Sequence, residues 1–145
     1  MNALERRVRA VVIQSLRDTS HAPPAAAIAA SLGASEVAVV AALHVLADAH
    51  RLVLIPGTDS VWMAHPFSAV ATDFVVTIGV RHWFANCVWD GLSILALFGD
   101  GALDTHSPAT GEPIRLRASA GTVLGDAIVH FPVPARHFWD DIGYT

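Results

Sequence analysis

The chain has 145 residues, 53% of them hydrophobic, and a formal net charge of -4. That length suits one compact domain or two small units sharing a core. All nine basic residues are arginines and they are scattered, so no polyanion-binding surface is indicated. With Cys87 as the only cysteine, no intrachain disulfide can form, and the N-terminal MNALERRVRA lacks the apolar run of a secretory signal. No apolar stretch reaches the roughly 20 residues of a helical membrane span. These features predict a cytoplasmic protein with neither membrane nor nucleic acid as partner. A mean hydropathy of +0.47 is high for a lone soluble subunit and compatible with a homo-oligomer.

Leu4, Val8, Val11, Val12 and Leu16 fall on one face of a first helix that ends within Asp18 to Pro24. Ala25 to Leu32 forms a short alanine-rich second helix closed by Gly33, and Ser35 offers the N-cap of a third, running to about Ala49. Strands are predicted at Leu52 to Ile55 and Val61 to Ala64, around a turn at Pro56 to Ser60. Three helices and a hairpin give residues 1–65 a winged-helix pattern.

His65-Pro66-Phe67-Ser68 breaks that pattern and opens a second unit, residues 66–145. Its predicted elements begin with a strand from Phe74 to Ile78, a turn near Gly79 and a returning strand from His82 to Ala85. A helix from Cys87 to Phe98 follows, capped by Asn86 and stopped by Gly99. Further strands are predicted at Ala102 to Thr105, Ile114 to Ala118 and Ala127 to Val133, with turns around Gly111, Pro113, Gly121 and Gly125. The expected fold class is α+β: a winged-helix-like unit packed on a mixed unit with a small, mainly antiparallel sheet.

A winged helix that binds DNA needs Arg, Lys, Asn or Gln on its third helix to reach base edges and phosphates. Between Thr19 and His50 there is no Arg or Lys, and Glu36 and Asp48 add negative charge. The third helix is apolar nearly all round and reads as buried. A transcriptional regulator is therefore the third-ranked reading.

The stretch from His82 to Gly99 places Cys87 three residues before Asp90 in an otherwise apolar run. Taken alone, Cys87 reads equally well as a small buried hydrophobe. At the first helical position, however, the helix dipole and free N–H groups would favour its thiolate. Asp90 would share a helical face with the sulfur, and burial among Val88, Trp89, Leu92 and Ile94 would favour its protonated, proton-donating form. A thiol beside a proton donor suits release of a leaving group from a thiophilic atom. A cysteine hydrolase would need a paired imidazole, and no local spacing recommends His82 or His106. The histidines lack zinc-site spacing.

Asn86-Cys87-Val88-Trp89-Asp90, opening a helix that ends at Phe98-Gly99, is followed by Thr105 to Pro113, THSPATGEP, leading into a strand. In these motifs, and across most of its length, the chain resembles the alkylmercury lyase family. The resemblance implies an N-terminal winged-helix-like unit before a mixed α/β catalytic unit. It also implies that Cys87 binds mercury as thiolate and that Asp90 delivers the proton releasing the hydrocarbon. No resident cofactor is implied, since Hg(II) is itself substrate or product.

Two departures from the family pattern stand out. Ser107 occupies a loop in which some members carry a structural cysteine, and a second catalytic cysteine expected downstream is not among these 145 residues. Soft Hg(II) prefers two sulfurs. A low-molecular-weight thiol, a second subunit or an Asp90 oxygen would then have to complete the site. A non-catalytic protein that binds a thiophilic metal or ligand through Cys87 is the second reading.

Overall fold

The structure, a computed structural model, describes residues 1–143 and is α+β. Tyr144 and Thr145, the end of the expected second unit, lie outside the described residues. Helix α1 (Ala3–Thr19) begins with a capping box in which Asn2 and Glu5 satisfy each other's backbone N–H groups. It buries Val8, Val12 and Leu16 against α2 (Ala25–Leu32) and α3 (Glu36–Asp48). The third helix is not buried all round: Val39, Ala42, Leu43 and Leu46 face the core, while Val37 and Val45 are exposed. An apolar surface of Ala and Val needs only one covered face to hold a helix in place.

Among the described residues, eight strands form one antiparallel sheet: β1 (Val53–Leu54), β2 (Val61–Ala64), β3 (Phe67–Ser68), β4 (Val75–Ile78), β5 (Arg81–Ala85), β6 (Gly101–His106), β7 (Pro113–Ser119) and β8 (Thr122–Leu124). Their order is β1-β2-β3-β5-β4-β6-β7-β8. His65 and Pro66, joined by a cis peptide bond, form the turn of a β2–β3 hairpin in which Ala64 pairs with Phe67. The sheet runs unbroken across that turn. One hydrophobic cluster likewise joins Val8, Leu16 and Leu43 of the helices to Val76, Leu103 and Leu116 of the sheet.

The strand predicted at Ala127 to Val133 does not form. Ala120 and Gly121 both adopt positive φ, 49° and 76°, and make a two-residue hairpin turn, so β7 returns at once as β8. Beyond Gly125 none of the described residues has a ladder partner, and their one regular element is a short 3-10 turn at Ala135–His137.

Helix α4 (Val88–Phe98) lies on β4, β5 and β6, burying Ile94 and Leu95. Gly91 permits the close approach, because a Cβ there would stand 2.7 Å from a methyl of fully buried Leu103 on β6. At the far end Phe98 stacks on Trp83, whose Nε1 donates to the Arg17 carbonyl at 2.8 Å and ties the sheet to α1. Leu103→Ala should leave a cavity beneath α4 and destabilise the protein by about 2–5 kcal/mol, measured as a lowered urea midpoint with unchanged slope.

Candidate functional site around Cys87 and Asp90

The extended backbone of Cys87, φ -153° and ψ 179°, makes this residue the N-cap of α4, and its carbonyl accepts the Gly91 N–H at 3.0 Å. The sequence reading had Asn86 as the cap and Cys87 as the first helical residue. Asn86 instead lies one residue before the cap, and its Nδ2 donates to Asp90 Oδ2 at 2.7 Å. Cys87 and Asp90 therefore occupy N-cap and N3, whose side chains are neighbours at a helix start.

The thiol does not gain the acidity expected from the helix dipole. Burial pushes the half-buried Cys87 thiol up from its ordinary pKa, and the negative charge of Asp90 pushes the same way. The backbone N–H groups of Asp90 and Trp89 pull in the opposite direction without offsetting the loss of solvation. Cys87 is therefore chiefly a thiol at neutral pH.

Asp90 is buried at 7% exposure, yet its carboxyl tip is not in apolar surroundings. Oδ2 accepts from Asn86, and Oδ1 lies 2.5 Å from His65 Nδ1. The hydrogen bond to Asp90 raises the His65 pKa above its ordinary value, and the carboxylate charge adds to this against burial and the charge of Arg9. Sequence reasoning treated His65 only as part of a chain break. Nothing local marks it, because it stands 25 positions before Asp90 and reaches it only through the β2–β3 turn.

His82 and His106, weighed as partners for the thiol, lie on β5 and at the end of β6, and both are exposed. His82 meets the edge of Phe84. Ser107 organises its own loop, its hydroxyl accepting the Thr110 N–H at 3.3 Å. Asn86 Oδ1 is buried without a hydrogen-bond partner among the described residues.

Two surfaces flank the pair. Trp89, 56% exposed, meets Phe131 edge-on at 6.1 Å, and Phe131 in turn packs on Phe138. The segment beyond β8 thus crosses the start of α4, then stacks Trp139 on His50 and sets Gly143 against Trp62. On the other side, a groove of about 620 Å³ between α1 and α4 is lined by Arg9, Arg17, His65, Phe67, Leu97 and Phe98.

The sequence model of the alkylmercury lyase family (MerB) matches residues 67–145, just over half the chain and the whole of the segment carrying Cys87 and Asp90. The chain belongs to the alkylmercury lyase family. A solved structure described as the mercury-bound form of MerB2 has the same fold, with a TM-score of 0.66 and 22% sequence identity over 86% of this chain. The chain spans 59% of the length of that relative. No curated protein matches the sequence. No single helix among the described residues is long and apolar enough to cross a membrane.

Because its thiol pKa is raised, Cys87 should react with iodoacetamide at about pH 8 more slowly than free cysteine, and the deficit should close as pH rises. Replacing Asp90 by Asn removes the opposing charge, so at equal pH the variant should alkylate faster. Both are read by mass spectrometry of quenched samples.

Proposed function

We propose that this chain cleaves carbon–mercury bonds by protonolysis, with Cys87 as mercury ligand and Asp90 as proton donor. The observation that carries the reading is the pairing, at N-cap and N3 of α4, of the chain's sole thiol with a buried carboxyl, inside the segment matched by the family. In the first step the Cys87 sulfur displaces X⁻ from R–Hg–X, forming Cys87 S–Hg–R, and the thiol proton passes to the Asp90 carboxylate. Mercury is soft enough to displace a proton from a thiol of raised pKa. In the second step Asp90 gives its proton to the carbon. The C–Hg electron pair becomes the new C–H bond, R–H departs, Hg(II) stays on the sulfur, and Asp90 is left as carboxylate. Trp89 and Phe131 offer the hydrocarbon group an apolar surface.

A second ligand must come to the metal as C–Hg breaks. Both Asp90 oxygens already have partners, so coordination through Asp90 would have to displace His65 or Asn86. A low-molecular-weight thiol supplies sulfur without that loss and also accepts Hg(II) by exchange afterwards. The lone cysteine favours, as the alternative, a member that binds mercury without turnover. For DNA binding α3 offers no arginine or lysine, and its His44 is engaged with Asp59 at 2.6 Å.

The protein should take up phenylmercury at one equivalent per chain, and Cys87→Ser should abolish this by mass spectrometry. Asp90→Ala should keep the adduct and lose benzene release by at least about 100-fold, measured by gas chromatography. Release by the parent should rise with added thiol. Multiple turnovers without thiol would show a second protein ligand, and uptake with no release at any thiol concentration would leave the binding-only alternative.

A further inference from the structure

A carboxyl that is to deliver a proton to one bound atom must be held in one orientation, and Asp90 is held from two sides. Asn86 immediately precedes the N-cap of the same helix and so moves with Asp90. His65 is different, for it belongs to the turn between β2 and β3. Its two flanking residues are paired to each other, Ala64 with Phe67, and β3 is paired onward to β5. The imidazole therefore refers the carboxyl to the sheet rather than to its own helix.

From this geometry we infer that His65 is a positioning residue: through its Nδ1 contact with Asp90 Oδ1 it fixes the carboxyl rotamer that faces the ligand on Cys87. The inference rests on the reading of Asp90 as proton donor. Without His65, Oδ1 would lose its partner from outside the Asn86–Phe98 segment, and the side chain could turn about χ1 toward solvent. His65 also lines the groove between α1 and α4, and its side chain is 66% exposed. Replacing it therefore leaves the core untouched.

The test uses the full chain and phenylmercury as probe. His65→Leu should bind one equivalent on Cys87 as the parent does, yet release benzene about 100-fold more slowly in a single turnover, the scale of loss expected from a misplaced reacting group. His65→Asn carries an amide nitrogen on Cγ, where histidine carries Nδ1, and should recover to within about tenfold of the parent. A merely structural loss would show no such selective rescue and would change uptake as well. Carbon NMR of the labelled Asp90 carboxyl provides a readout independent of activity. Its resonance should move in His65→Leu, return toward the parent position in His65→Asn, and stay in place in the control His82→Leu. Should the parent release no benzene, the lyase reading fails, while the NMR comparison still decides whether His65 holds Asp90. Benzene release by His65→Leu at the parent rate, or an unmoved Asp90 resonance, would overturn the inference.

Discussion

A carboxyl group taken out of water must be given partners, and at Asp90 that requirement shapes the centre of the molecule. At 7% exposure the side chain cannot rely on solvent, and an unpartnered buried charge costs several kcal/mol. Asn86 and His65 each engage one oxygen. The first contact fixes how the chain enters α4. The second reaches across to the β2–β3 turn, so the start of the helix and a distant hairpin are joined by one carboxyl. The same contacts that make the burial tolerable give the group a defined direction.

That direction has meaning only because α4 itself is held. Gly91 brings the helix onto Leu103, and Phe98 rests on Trp83 and Phe67, while Trp83 anchors to α1. The N-terminal helices are thus coupled to the sheet that carries the site. By contrast, Trp89 at the start of α4 meets Phe131, which comes from a segment without ladder hydrogen bonds among the described residues.

The raised pKa of Cys87 changes the character of the proposed chemistry. A reactive thiolate at a helix N-terminus would attack many electrophiles, whereas a buried thiol gives up its proton mainly when a metal that binds sulfur strongly displaces it. On the proposed reading, desolvation of the thiol would favour soft metals over other electrophiles. The charge of Asp90 reinforces it, since a carboxylate nearby makes a second anion less favourable.

The helices, most of the strands and the pairing of Cys87 with Asp90 were legible in the sequence. Each depends on local periodicity, on caps such as Ser35, or on spacing within a single helical turn. The motif from Asn86 to Asp90 was also enough to suggest the family. Tertiary structure decided what depends on distant chain. The expected strand at Ala127 to Val133 was lost because the Ala120-Gly121 turn closed the hairpin earlier, a competition that alternation of apolar residues does not register. Asn86 donates its amide to the Asp90 carboxylate, and the extended backbone of Cys87 makes that residue the cap. Burial then reversed the expected shift of the thiol, since solvation is a property of everything packed around a group. His65 became part of the site for the same reason: only the folded sheet brings a turn residue 25 positions away to within a hydrogen bond of Asp90.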